Sequence, residues 1–452
     1  PLYNSDGAPE NTISQFDKKD VENVGLVKFD FLGLTTLSIL AKCKEYIDKL
    51  YPEREFELER IPVTDEETYR CFQNANTAAV FQFESEGMRQ LLRQARPDRL
   101  EDLVALNALY RPGPMDLIPS FIARKFGREK VAYLDERMAP VLSETYGIMV
   151  YQEQVMQIFR ELAGFSFGQA DNVRRAMSKK KHAVMEAERE HFVHGCTEPG
   201  HECPGCVANG ISEKVANEIY DEMSSFASYA FNKSHAACYA YVAFQTAYLK
   251  CHHPSEFMAA LLTSVLDNTD KVIEYSGECA RLGIKVLPPD VNISNGGFTA
   301  DDGKIRFGLN AVKNVGRNLI ERVVEERKEK PYASLYDFCK RMHGNELNRR
   351  AVENLIRAGA FDGMGYKRKA LLQIAGAVID SISQAARDNI AGQYDLFGDF
   401  EAQSEASPQT IPIPDVEEFS ARDKMMMEKE VTGLYLTGHP MDEYRAAVRR
   451  AG

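Results

Sequence analysis

Residues 308–320 read Gly-Leu-Asn-Ala-Val-Lys-Asn-Val-Gly-Arg-Asn-Leu-Ile. Leu309, Val312 and Val315 fall on one side of this stretch, and a tight turn at Asn314-Val315-Gly316 exposes backbone amides where the next helix begins. That pattern is a helix-hairpin-helix, whose helix N-terminus accepts a backbone phosphate without reading base sequence. Lys313, Val315, Gly316 and Arg317 are therefore the candidate DNA contacts. The turn glycine usual at the first position is Asn314, a residue that tolerates left-handed geometry. Around Leu355 and Ala358-Gly359-Ala360-Phe361 a second, degenerate hairpin is expected. A plain helical bundle is the competing reading.

On the N-terminal side, residues 284–307 carry Pro288-Pro289 and Asn295-Gly296-Gly297 and read as strand and turn. From about Leu37 to Val265 the apolar spacing is helical, with short breaks such as Arg111-Pro112-Gly113-Pro114. Thr64 with Glu67 predicts a capping box ahead of Tyr69 and Phe72. Further upstream, Gly25-Leu-Val-Lys-Phe-Asp-Phe-Leu32 resembles a buried strand with Lys28 and Asp30 on one face. Beyond the hairpins, residues 399–416 are polar and read as a linker. The fold class that follows is α+β and predominantly helical.

The 452 residues are 44% hydrophobic and 27% charged, ordinary for a globular chain of two or three domains. No apolar run approaches the roughly 20 residues of a membrane span, so no membrane partner is expected. Nine scattered cysteines suggest a reducing cytoplasm. A net charge of −12 argues against nucleic acid coating the whole surface and leaves room for local basic grooves. The chain opens at Pro1 and closes at Gly452 after an amphipathic run, and both ends are expected to be cuts through a longer protein.

Three segments carry chemistry. Asp30, flanked by Phe29 and Phe31, is costly to bury unless it is paired or binds a metal. With Lys28 two residues away it suits a divalent ion and a triphosphate, or a structural Lys–Asp pair. Residues 171–185 place Arg174, Arg175, Lys179, Lys180 and Lys181 against one Asp, which makes either a phosphate patch or a solvated face. Around Phe231-Asn-Lys-Ser-His235, the aromatics Tyr229, Phe231, Tyr239 and Tyr241 interleave with Lys233, Ser234 and His235. Phosphate contact with base stacking and an aromatic core with one wet edge are both open there.

In this order, Val27 to Leu34, Leu109-Tyr-Arg-Pro-Gly-Pro-Met115, Asp171 to Lys181 and Phe231 to Ala236 resemble the alpha subunit of bacterial DNA polymerase III across nearly the whole chain. The resemblance implies residues 1–35 as the end of a polymerase-beta-like palm and 36–275 as fingers. It implies 276–390 as the tandem hairpin module, 391–398 as a clamp-binding motif and 399–452 as a linker toward an OB domain. Asp30 matches the third metal-binding aspartate, with two Mg²⁺ ions in a complete site and the other two aspartates upstream. Lys28 resembles a triphosphate contact; Arg174 and Arg175 resemble the arginines that grip the incoming dNTP. Lys233, Ser234 and His235 fall in a segment facing nucleotide or template, and Lys179, Lys180 and Lys181 are expected on DNA.

Gln393-Tyr-Asp-Leu396-Phe397 resembles the internal sliding-clamp peptide, with Leu396 and Phe397 as apolar anchors and Gln393 at the rim. Primer-template DNA, the clamp (beta subunit) and other replicase subunits are thus the implied partners. One feature departs from the family. A local insertion carries Cys196, His201, Cys203 and Cys206, a set that would complete a structural Zn²⁺ site or form a reduced loop. The rival readings are a non-catalytic DNA- and clamp-binding scaffold and an error-prone relative of the same family.

Overall fold

The computed structural model describes residues 2–3, 12–18, 20–29, 33–178, 182–227, 229–344, 347–394, 411–441 and 444. As expected, helices dominate and the sheet is small. Near the start, β1 (Leu2–Tyr3) pairs antiparallel with β2 (Thr12–Ile13). The strand expected at 25–32 does not form over its described part. Residues 26–29 have no regular structure, and Val27 and Phe29 are 75% and 72% exposed. Among the described residues, no strand pairs with this stretch.

The first long helix, α1 (Thr35–Leu50), buries Ile39, Leu40, Cys43, Tyr46 and Ile47, the i, i+4, i+7 stripe of an amphipathic helix. The next, Glu66–Gln73, is capped by Asp65, whose carboxylate accepts from the Thr68 amide at 2.8 Å. The cap thus lies one residue beyond the predicted Thr64; the same carboxylate meets His252 at 3.0 Å, a tertiary contact invisible to local pattern.

Three helices frame the centre of the chain: α2 (Gln152–Ala163), α3 (Phe167–Ser178) and α4 (Lys233–His252). Helix α5 (Pro254–Ser264) packs on α1 and against the sheet. In that sheet β3 (Val286–Leu287) lies parallel to β5 (Lys304–Arg306), and β4 (Thr299–Asp301) forms an antiparallel hairpin with β5. The hairpin turn is Asp302-Gly303, at φ +46° and +71°, the two positive dihedrals of a twist-matched two-residue turn.

One core runs from α1 through α5 into the sheet and the hairpin helices; within it Phe298 and Phe307 meet edge to face at 4.9 Å. Tyr46 ties the two ends together by donating to the Phe298 carbonyl at 2.6 Å. The boundary expected at residue 276 consequently falls inside the helix Thr269–Arg281, whose Val272, Tyr275 and Cys279 belong to this shared core.

The C-terminal part is built from α6 (Arg317–Glu326), α7 (Arg349–Arg357) and α8 (Arg368–Tyr394), followed by α9 (Ala421–Thr432). The segment expected as a linker is packed structure over residues 411–436. Val431 and Leu436 join the core, and Glu428 is fully buried. Sparse apolar residues concealed this, because the anchor is ionic. Arg368, 1% exposed, donates to Asp362 at 2.6 Å and to Glu428 at 3.0 Å. Glu428 in turn accepts from the amides of Leu436 and Thr437 at 2.9 and 3.0 Å. Among the described residues, no helix is long and apolar enough to cross a membrane.

Candidate nucleotide and DNA interface

Two helix starts are brought side by side. The Gln154 amide oxygen accepts from the Val150 and Tyr151 amides at 2.8 and 3.0 Å, which fixes the start of α2. A parallel bridge then joins Tyr151 to Phe231. In it the Gln152 amide donates to the Phe231 carbonyl at 2.9 Å and the Phe231 amide to the Val150 carbonyl at 3.2 Å. One residue on, Asn232 caps α4, its side-chain oxygen accepting from the His235 amide at 2.8 Å. Adjacent helix N-termini concentrate free N–H donors and positive potential.

Cations gather around this pair. Arg174 on α3 donates to Gln152 at 2.9 Å and to Asp171 at 2.8 Å, while Arg175 holds the other oxygen of Asp171 at 2.7 Å. The Arg174 hydrogen bond keeps the Asp171 carboxyl below the usual carboxylate range, against a smaller opposing effect of burial. Lys233 pairs with Glu144 at 2.6 Å and lies 5.5 Å from the centre of the Tyr151 ring. Glu153 spans the α4 start, accepting from the Asn232 side chain at 2.8 Å and from the Lys233 amide at 2.9 Å. A cavity of about 320 Å³ lies here, lined among others by Gln152, Glu153, Arg160, Asp171 and Arg174.

On the other side of the same turn, His235 is exposed between Phe231 and Tyr239, with ring centroids 5.4 and 4.2 Å away. These three rings join Phe81 and Tyr110 in lining a cleft of about 530 Å³. Arg111 lies 4.4 Å over Phe231 and donates to the Tyr229 carbonyl. The Pro-Gly-Pro loop allows this approach: at Gly113, φ +104°, an added Cβ would come within 2.4 Å of the Tyr229 ring.

Arg174 and Lys233 thus meet the paired helix starts, Arg175 shares Asp171 with Arg174, and Ser234 and His235 follow in the first turn of α4, with His235 on the ring-lined cleft. Asp30, Lys179, Lys180 and Lys181 lie outside the described residues, and Lys28 is exposed near the start of the chain. Sequence reasoning missed Gln152, Glu153 and Arg160, since polar residues on an amphipathic helix read as a solvated face. The signal that was present is the Gln-Glu-Gln run opening α2, which makes both the cap and the cross-links.

The four-ligand zinc site does not assemble. Cys196 and Cys203 face each other in an antiparallel bridge with reciprocal 2.9 Å backbone bonds, while His201 is exposed. Cys203 and Cys206 are buried in the apolar core of α2 and its neighbours, and burial pushes the Cys206 thiol up to about 12. These cysteines act as small hydrophobic residues. Among the described residues, no group of three or more His, Cys, Asp or Glu side chains is placed to hold a metal ion.

In the first hairpin, Asn314 takes the left-handed conformation at φ +60°, as expected, and Gly316 caps α6 at φ −71°. The helix before the turn is a single 3-10 turn, Leu309–Ala311. Val315 is half-buried against the core. Lys313 donates to the Glu430 carbonyl at 3.0 Å, and Arg317 takes both oxygens of Asp267 at 2.8 and 2.7 Å. The second hairpin, α7 to α8, turns at Gly359, φ +84°, where a Cβ would come within 2.4 Å of the Arg368 guanidinium. The leading amides of α8, those of Arg368 and Lys369, donate to Glu418 at 2.9 and 3.2 Å. Gln393 lies near the end of α8, so the expected extended peptide begins inside a helix; Leu396 and Phe397 lie outside the described residues.

The described residues thus form a helical body with two adjacent helix starts, followed by the hairpin module. Residues 36–200 match the family model for the bacterial DNA polymerase III alpha subunit finger domain, and residues 283–371 match a helix-hairpin-helix motif model. The chain is 46% identical over 457 residues to DNA polymerase III subunit alpha of Xylella fastidiosa strain Temecula1, covering 99% of this chain and 37% of that protein. To the same subunit of Escherichia coli K12 it is 42% identical over 462 residues, covering 100% of this chain and 39% of the other. With the Pseudomonas aeruginosa subunit it shares 44% identity over 465 residues, covering 97% and 39%. The chain therefore belongs to the family of bacterial DNA polymerase III alpha subunits, and it spans about two fifths of the length of the curated relatives it matches.

Proposed function

We propose that this chain supplies the fingers, the hairpin module and one palm carboxylate of a DNA-directed DNA polymerase, which transfers a nucleotidyl group from a dNTP to a primer 3′-hydroxyl. The observation that carries this reading is the convergence of Arg174 with Lys233 and His235 at two adjacent helix starts. Guanidinium and ammonium groups beside the two helix starts suit a triphosphate, and the ring-lined cleft beside them suits a base or sugar. Asp30 would be a metal ligand, with Lys28 beside the triphosphate. Bound there in a pair, Mg²⁺ supplies activation of the 3′-hydroxyl and charge neutralisation on the departing pyrophosphate.

The hairpins would hold the primer-template duplex through phosphates, with Lys179, Lys180 and Lys181 adding to that grip. Gln393, Leu396 and Phe397 would plug into the sliding clamp, other replicase subunits would be further partners, and the protein would work in the cytoplasm. The test is primer extension by the full-length protein. Asp30→Asn is expected to abolish extension while primer-template affinity stays within about twofold; extension at the parent rate would refute the metal role. Arg174→Ala and Arg175→Ala should each raise the dNTP KM or lower kcat, by the loss of charge-assisted bonds worth roughly 1.5–3 kcal/mol.

A further inference from the structure

Several of the donors around the start of α4 already hold a carboxylate. Asp171 spends one oxygen on Arg174 and the other on Arg175, at 2.8 and 2.7 Å. Glu153 spends one on the Asn232 side chain and the other on the Lys233 amide, at 2.8 and 2.9 Å. Arg160, on the same face of α2 as Glu153, holds none. Its exposed guanidinium lines the cavity with no ion pair or hydrogen bond among the described residues.

We propose that Asp171 and Glu153 are internal counter-anions that set a charge threshold for this cavity, admitting a triphosphate and turning away ligands with one phosphate group. The inference rests on reading Arg174 and Arg175 as triphosphate contacts. An incoming oxygen gains only the difference between its own bond and the carboxylate bond it displaces. A single phosphate exchanges one such pair and gains little. A triphosphate spans several donors at once, so the displacements after the first are intramolecular and cost little further entropy. Arg160, uncommitted, gives the polyanion its first foothold before either carboxylate lets go. The two carboxylates also keep the guanidiniums and the α4 start in place while the cavity is empty, so little reorganisation remains on binding.

The experiment is titration calorimetry on the 452-residue chain with sodium tripolyphosphate and orthophosphate as probes. Asp171→Asn keeps the shape and an acceptor oxygen but removes the charge. It is expected to tighten orthophosphate about tenfold and tripolyphosphate only two- to threefold, which narrows the preference between them. Glu153→Gln, which still accepts from the α4 start, should shift the ratio the same way and serves if Asp171→Asn unfolds. Arg160→Ala should weaken tripolyphosphate several-fold with little effect on orthophosphate. Unchanged ratios in both carboxylate variants would overturn the threshold. The underlying reading is checked separately by the Arg174→Ala/Arg175→Ala double variant. If it binds tripolyphosphate like the parent, the triphosphate assignment falls. If it loses binding while the carboxylate variants leave the ratio unmoved, only the threshold falls.

Discussion

Lys250 and Glu278 form a 2.7 Å ion pair with both side chains almost wholly buried, 3% and 7% exposed. Lys250 also donates to the carbonyls of Asn76 and Ala78 at 2.7 and 2.8 Å. It thereby anchors a loop in which Ala75, Ala79 and Gln82 all have positive φ, a cost for non-glycine residues that surrounding contacts must offset. That loop presents Phe81 and Gln82 to the ring-lined cleft. Lys250→Met should destabilise the chain by about 3–5 kcal/mol, since a buried carboxylate and two carbonyls lose their shared donor. Urea unfolding measures it, and the Lys250→Met/Glu278→Gln double variant should recover part of the loss.

In the first hairpin the residue that needs left-handed geometry is Asn314, and Gly316 sits in ordinary extended backbone. Asn314→Val should cost about 1–3 kcal/mol and weaken duplex binding. Gly316→Ala should stay within about 0.5 kcal/mol in stability. Fluorescence anisotropy with a primer-template duplex, read beside thermal unfolding, separates the two; equal losses of DNA affinity would contradict the turn geometry.

Asp171 has a lowered carboxyl pKa because Arg174 hydrogen-bonds its charged form. The sign follows from linkage. A depressed folded-state value contributes stability that is complete above the unfolded value, about 3.9, and is lost as pH falls through the folded value. The stability difference between the parent and Asp171→Asn should therefore be constant from pH 8 to about pH 5 and shrink below about pH 4. A difference that instead disappeared between pH 8 and 6 would mean that another group titrates the contact.

Cys206, with its thiol pushed up to about 12 by burial, should react with Ellman's reagent only on unfolding, whereas exposed Cys238 should react at once. Mass mapping of the labelled sites distinguishes a core cysteine from an open loop.

If residues 393–397 are a clamp peptide, Leu396→Ala with Phe397→Ala should weaken clamp binding by about 2 kcal/mol or more per anchor and leave duplex affinity unchanged. Full-strength clamp binding by the double variant would remove the motif from the function.

The helical class, the small strand region before the hairpins and the left-handed Asn314 were legible because each is a local property of spacing or residue type. Arg174 and Lys233 were legible as candidates because their segments stand out in charge and aromatic content. What lay hidden was set by contacts between distant residues. Asp65 replaced Thr64 as cap through the surroundings it shares with His252. The thiols of Cys203 and Cys206, spaced like ligands, were claimed by a core assembled from helices on either side. The segment 411–436 has few large apolar residues, and its attachment through Arg368 and Glu428 links positions sixty residues apart. Periodicity has no access to such a pair.

That last attachment also decides where the hairpin module can be cut. A truncation after residue 390 would leave Arg368 with Asp362 and the Arg357 carbonyl, strip the Glu418 carboxylate from the leading amides of α8, and free the Lys313 amide that now donates to the Val431 carbonyl at 2.9 Å. Each is a protected site exposed at once to water, so the amides of α7, the α8 start and residues 428–437 should exchange with deuterium as one cooperative unit. The smallest autonomous piece of the module therefore extends past Thr437, well beyond the last residue of the hairpin itself.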